Sequence, residues 1–242
     1  MKLSVVVPAF NEEKLLGASL AAIRHALGAV HARGWESELV VCDNNSTDRT
    51  AGIARAAGAT VVFEPVNQIS RARNAGAAAA SGEWLLFVDA DSQPSGELFA
   101  EAAAAMGSGR CLAGGATVAY PDVADFGARL AIAGWNFVSR AGKWAAGSFI
   151  FCRADAFREV GGFSAELFAS EELDLFRKLK AVARRRGEGI VILHRHPLHT
   201  SGRKLTLYRK KEILRFMARM VLTGGASLKR REDCAPWYDG RR

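Results

Sequence analysis

Asp89 and Asp91 stand one residue apart at the end of an apolar run, in "EWLLFVDAD". Two carboxylates held together repel unless a cation or a hydrogen-bond donor lies between them. If the extended conformation of the run persists, both side chains point the same way, because side chains alternate along a strand. A hard divalent cation, bound through oxygen and shared with substrate phosphates, satisfies such a pair. Two solvated aspartates capping the next helix are the alternative. Two other apolar runs also end in polar groups: "KLSVVVPAF" leads to Asn11 and Glu12, and "SELVVCD" ends in Asp43 and leads to Ser46. In an open parallel sheet, ligands bind beyond the carboxyl ends of the strands, so these three ends would line one crevice.

The elements that must position these groups follow a clear rhythm. "KLSVVVPAF" is expected to be a strand broken by Pro8, and residues 12–32 carry helical apolar spacing at Leu15, Leu16, Leu20, Ile23 and Leu27. "SELVVCD" is a second strand, and "STDRTAGIARAAG" a helix with Ser46 or Thr47 as its N-cap and Gly58 as its stop. "ATVVFEP" is a third strand, "SRARNAGAAAASG" an alanine-rich helix ending at Gly82, and "EWLLFVDAD" the fourth strand. Apolar strands alternating with helices predict a mostly parallel sheet covered on both faces. Beyond Asp91 the spacing predicts a helix over 95–107, a strand in "CLAGGATVAY" and an apolar helix over 123–140. A strand, short helix and glycine turn follow in "GSFIFCRADAFREVGGF". "SEELDLFRKLKAVARRRG" is expected to be a capped amphipathic helix, and "GIVILHRHPLHTSGRK" a last strand running into a loop. We read residues 1–204 as one domain, and 205–242 as a basic amphipathic helix over 205–222 with a polar tail.

Charge and composition narrow the function. Residues 203–242 hold 12 Lys+Arg and 4 Asp+Glu, while the first 202 residues hold 21 of each sign, so the whole net charge of +8 lies at the C-terminal end. A neutral body with one basic segment is not the footprint of a nucleic-acid binder. Instead Lys211, Arg215 and Arg219 line one face of the 205–222 helix, opposite Ile213, Leu214, Met217, Met220 and Val221. That helix is expected either to dock on the domain or to lie on an anionic membrane surface as a peripheral contact. No run of 18 apolar residues is present, and the N-terminal run is too short for a signal peptide. Cys42, Cys111, Cys152 and Cys234 lie far apart without a CxxC pair, which favours reduced thiols and a cytoplasmic location.

Five segments in order, "VVVPAFNEE", "VVCDNNSTDRT", "ARNAGAAAASGEWLLFVDAD", "GSFIFCRADAFREVGGF" and "SEELDLFRKL", resemble the family 2 glycosyltransferases over residues 3 to 203. The resemblance implies the α/β nucleotide-sugar-binding fold called GT-A, a UDP- or GDP-sugar donor, a glycan or lipid-linked acceptor and a Mn2+ or Mg2+ cofactor. It implies that Pro8, Ala9, Asn11 and Glu12 surround the nucleoside and that Asp43 accepts a hydrogen bond from the base, although an Asx-turn at a strand end would also explain Asp43. Arg73 and Asn74 match the family's "ARN" near the base, with Arg71 competing for the arginine's role. Asp89 resembles the carboxylate near ribose and metal, and Asp91 the direct metal ligand.

The family carries an acidic pair after the "GGF" turn, commonly Glu-Asp; here it is Glu171-Glu172, followed by Asp174. Glu172 would be the general base of an inverting transfer. Acids in a first helical turn are also favoured by the helix dipole alone. His194, His196 and His199 are spaced for a metal site, and the resemblance implies that one of them, which we take to be His199, completes the Asp91 site. Arg203 in "SGRK" is a candidate diphosphate partner, since a guanidinium matches phosphate geometry. The acceptor pocket is expected around Trp135, Trp144 and Phe149. The alternatives are a non-catalytic nucleotide-sugar-binding protein and a nucleotidyltransferase; the second is disfavoured because "PAFNEEKLL" lacks a glycine-rich basic loop.

Overall fold

A computed structural model describes residues 1–203, 210–234 and 238. The strands are β1 (Lys2–Ala9), β2 (Glu36–Asp43), β3 (Thr60–Phe63), β4 (Trp84–Val88), β5 (Ser92–Gln93), β6 (Cys111–Ala119), β7 (Phe149–Arg153) and β8 (Gly189–Thr200). They form one sheet in the order β3-β2-β1-β4-β7-β6-β8-β5. The β3-β2-β1-β4 half is parallel, β7 runs antiparallel to both β4 and β6, and β8 is parallel to β6. The helices are α1 (Leu16–His31), α2 (Thr50–Ala56), α3 (Ile69–Ala79), α4 (Gly96–Met106), α5 (Phe126–Gly142), α6 (Ala154–Glu159), α7 (Glu171–Arg186) and α8 (Lys210–Leu222). Short 3-10 turns follow at Ala226–Lys229 and Arg231–Cys234.

The unbroken apolar runs are explained by burial on both faces. Along β1, Val5 and Val7 join one core with α1 and α4, while Val6 joins the other with α6 and α7. Along β4, Leu86 and Val88 take the first side, and Leu85 and Phe87 the second. Phe87 lies 5.0 Å edge-on from Phe163 and 5.3 Å from Phe157, which seats the segment after β7 against the strand that leads to Asp89.

Several local expectations are corrected. Pro8 does not break β1: it pairs with Cys42, whereas pairing with β4 ends at Val6↔Phe87, so on that side a missing N–H costs no ladder bond. The first helix begins at Leu16 rather than residue 12, and α3 stops at Ala79, short of Gly82. Neither Ser46 nor Thr47 caps α2, which opens after Arg49. Ser170 precedes α7 in a left-handed conformation without a side-chain cap. The segment containing the histidines is not a loop, because β8 continues to Thr200 beside β6 and β5. Phe149 lies in the core against Phe99 and Phe151, so it cannot line an acceptor pocket. Residues 205–209 of the expected C-terminal helix lie outside the described residues, as do the side chains of Lys211, Ile213, Leu214, Met217 and Val221.

Candidate active site

The ends of β1 and β2 are laced together by their own loops. Asn11, in the left-handed region, accepts from the Thr47 amide at 2.8 Å, and its own amide donates to Ser46 Oγ at 3.0 Å. The Glu12 amide donates to Thr50 Oγ1 at 2.8 Å. Ser46 and Thr47 therefore tie two loops rather than cap a helix. Asp43 is buried and its Oδ1 accepts from the Ser46 amide at 3.0 Å, a local bond three residues on rather than the two of an Asx-turn. Pro8 and Ala9 lie within β1, with Ala9 opposite Asp43.

The paired aspartates sit on a turn, not on an extended strand. β4 ends at Val88, and the Ser92 amide donates to the Asp89 carbonyl at 3.1 Å. Strand alternation therefore does not orient these carboxylates. What fixes Asp89 is Arg73, from the first turns of α3. One guanidinium nitrogen donates to Asp89 Oδ1 at 2.9 Å and to the Gly147 carbonyl at 2.8 Å, and the other to Glu171 Oε1 at 2.7 Å. The guanidinium also lies 5.2 Å over the Phe163 ring. Burial opposes the Arg73 charge, but Asp89, Glu171 and Glu172 outweigh it and hold the guanidinium above its ordinary value. Arg71, by contrast, is exposed. Asn74 clamps the "GGF" turn, accepting from the Phe163 amide at 3.0 Å and donating to its carbonyl at 2.8 Å. Gly161 and Gly162 have φ of 76° and 67° there, and a Cβ on Gly162 would come within 2.7 Å of Asn74 Oδ1.

The acidic pair opens α7 beside this hub. Burial and the neighbouring Glu171 carboxylate push the Glu172 carboxyl up to about 8, against the pull of Arg73. Asp174 is turned to Arg177 and Lys178, each at 2.8 Å, along its own helix. On the other side, Arg203 donates to Glu12 Oε1 at 2.8 Å and lies 3.6 Å from Asp91 Oδ2, so it joins the first loop to the aspartate turn. From β8 it is the Thr200 hydroxyl that meets Asp91, at 3.4 Å. Side chains alternate along β8, so His199 faces away, exposed, and the structure does not bring it to Asp91.

Residues outside the expected set also belong here. The Tyr120 hydroxyl is pushed up to about 12 by burial and by Asp89, Asp91 and Asp122, so it stays a proton donor beside the paired aspartates. Asp122 accepts from the Gly202 amide at 3.0 Å, pinning the segment that carries Arg203. Gly147 supplies a carbonyl to Arg73 and lies so near Glu172 that a Cβ would come 3.8 Å from its carboxyl carbon. None of these has a sequence signal, because each depends on which loop returns to the crevice.

Among the described residues no cluster of three His, Cys, Asp or Glu side chains is placed to hold a metal. The Asp89 and Asp91 carboxylates are nevertheless hard oxygen donors, partly exposed at the crevice. They fit a cation such as Mg2+ or Mn2+, which takes one or two protein carboxylates and fills its other positions from phosphate and water.

Comparison with known proteins agrees with this arrangement. The model of "Glycosyl transferase family 2" matches residues 4–161. Over 96 residues the chain is 42% identical to an uncharacterized glycosyltransferase of Mycobacterium tuberculosis, covering 39% of each protein. Over 96 residues it is 38% identical to glucosyl-3-phosphoglycerate synthase of Mycolicibacterium smegmatis, covering 36% of this chain and 30% of that one. The chain thus matches about two-fifths of the length of the first relative and less of the second. S. aureus TarS 1-349 superposes with a TM-score of 0.66 at 21% identity, over 99% of this chain and 78% of that one. Glucosyl-3-phosphoglycerate synthase from Mycobacterium tuberculosis, solved with Mn2+, UDP and glucosyl-3-phosphoglycerate, gives 0.61 at 20% identity, over 91% and 77%. At these identities the structural likeness is one of fold. The family model spans more than half of the chain, and the chain belongs to glycosyl transferase family 2, with the GT-A fold its motifs led us to expect.

Proposed function

We propose that this chain transfers a sugar, with inversion, from a UDP- or GDP-sugar to an acceptor hydroxyl, and that Glu172 is the base. The observation that carries this reading is the Arg73 bridge. It fixes Asp89, on the side of the leaving diphosphate, to Glu171, next to the base. The acceptor oxygen attacks the anomeric carbon as the bond to the diphosphate oxygen breaks. The bonding pair leaves with the nucleoside diphosphate, and the acceptor proton passes to a Glu172 carboxylate oxygen. A carboxylate made more basic by burial is suited to that proton near neutral pH.

Charge accumulates on the departing diphosphate, and Arg203 stands at the crevice to meet it. Asp91 and Asp89 would hold Mg2+ or Mn2+, which when bound neutralises part of that charge. Asn11, Glu12 and Asp43 would surround the nucleoside at the joined ends of β1 and β2. A fold neighbour solved with Mn2+ and UDP supports a uridine donor over a guanosine one.

Thermal shift with UDP and GDP, each with Mn2+ or with EDTA, tests the reading. One nucleotide should raise the melting temperature only when Mn2+ is present, as ligand linkage requires. Asp91→Asn should lose that stabilisation while the apoprotein melts normally. Stabilisation indifferent to EDTA, or absent with every nucleotide, overturns it.

A further inference from the structure

The outer face of α5 has no task in the reading above. Phe126, Leu130, Ala133, Phe137 and Ala141 recur at helical spacing and form one stripe along it. Phe126, Leu130 and Phe137 are 81%, 65% and 72% exposed. The helix is tied to the sheet from another side. Asn136 brackets Val118 of β6, accepting from its amide at 3.1 Å and donating to its carbonyl at 2.9 Å. Ser139 is buried and donates to the Trp144 carbonyl. With these contacts on the other side, the apolar stripe faces outward.

Charge indicates what covers it. Arg129 and Arg140 stand beside the stripe, both exposed, and Lys143 ends the helix. Apart from Asp125, the exposed N-cap, and Asp122 before it, the charges on this segment are basic, since no Asp or Glu occurs from residue 126 to 153. Apolar and aromatic side chains with Arg129, Arg140 and Lys143 spaced along them match the acyl boundary and anionic headgroups of a membrane leaflet. No helix among the described residues is long and apolar enough to cross a membrane, so the contact would be peripheral.

We propose that α5 is the docking surface of this protein on an anionic lipid membrane. The C-terminal helix is less suited to that role, because Arg219 is paired with Asp233 at 2.9 Å. Both ends of α5 run into the crevice. Tyr120 and Asp122 precede it beside Asp89 and Asp91, and Gly147 and Ser148 follow it, bonded to Arg73 and Asp89. Docking would therefore set the crevice at the lipid surface and favour a lipid-borne acceptor hydroxyl. That last step rests on the transferase reading; docking itself does not.

Co-sedimentation of the full chain with phosphatidylcholine vesicles, with and without phosphatidylglycerol, tests the proposal. The protein should pellet with the anionic vesicles and be released by salt. The triple variant Phe126→Ser, Leu130→Ser, Phe137→Ser should lose at least about tenfold in affinity, since each residue gives up buried apolar area. Arg129→Gln with Arg140→Gln should weaken binding to anionic vesicles and flatten its salt dependence. All five positions are exposed, so melting temperatures should hold, and nucleotide-induced stabilisation should persist in both variants. That separates failure of docking from failure of the donor site. The proposal is overturned if the wild type pellets with neither vesicle, if the triple variant binds as well as wild type, or if the wild type is a dimer in solution that the triple variant dissociates.

Discussion

Glu172 owes its raised pKa first to burial and then to its place beside Glu171, whose carboxylate faces Arg73. Glu172→Gln keeps the shape and removes the proposed base. Donor binding should survive, and transfer should fall by at least about 10²-fold, the usual worth of a positioned base. A rate near wild type would move the role to another group. The pH dependence has a definite sign. Only the ionised carboxylate accepts a proton, so kcat/KM falls as pH falls through the free-enzyme pKa. Because burial and Glu171 raise that pKa to about 8, the acid limb should lie near neutrality, well above the ordinary glutamate value of about 4.3. The same shift makes the folded state bind this proton more tightly than the unfolded chain. The stability it contributes is present at low pH and is lost as pH rises toward 8. A pH–rate profile of wild type with an acid limb at pH 4 to 5 would refute the assignment.

The element that matters most is α3. It places Arg73 by lying close on the sheet: a Cβ on Gly76, one turn further on, would come within 2.4 Å of Val6 Cγ1 on β1. Gly76→Ala must therefore lift α3 or displace Val6. Overpacking of this kind costs about 1–3 kcal/mol. It should also shift the guanidinium that spans Asp89 and Glu171, so transfer should fall even at temperatures where the variant is fully folded. Chemical denaturation with steady-state rates on the same sample checks both effects. Activity unchanged despite lost stability would mean that the bridge tolerates movement of its helix.

On the scale of the whole molecule, the C-terminal segment is more than a polar tail. The Leu228 carbonyl accepts from the Phe168 amide at 2.8 Å, and Lys229 pairs with Glu166 at 2.7 Å. The Tyr238 ring lies edge-on to Phe168 at 5.5 Å, and its hydroxyl accepts from the Ile69 amide at 3.3 Å, at the start of α3. The chain end thus straps the loop that leads into Glu171 and Glu172. Tyr238→Ala should cost about 0.5–1.5 kcal/mol through the aromatic pair. It should also speed amide hydrogen exchange at Ile69 and Phe168. Unchanged exchange at both amides would show that the strap holds without its tyrosine.

By itself the sequence determined the layered α/β fold, since apolar runs of strand length alternating with helical spacing can be buried only with helices on both faces of a sheet. It also placed Asp89 and Asp91 at the end of an apolar run, a local feature, whereas Arg73 and the Glu171-Glu172 pair were singled out by the resemblance to the family's motifs. Strand order, the turn at Asp89, the course of β8 and the exposure of α5 were not legible there, since each depends on segments distant in the chain. Tertiary packing decided that Arg73 joins Asp89 to Glu171, residues 16 and 98 positions away. It also made Thr200 rather than His199 the neighbour of Asp91, because continued pairing of β8 with β5 and β6 sets which side chain of the alternating strand faces the crevice.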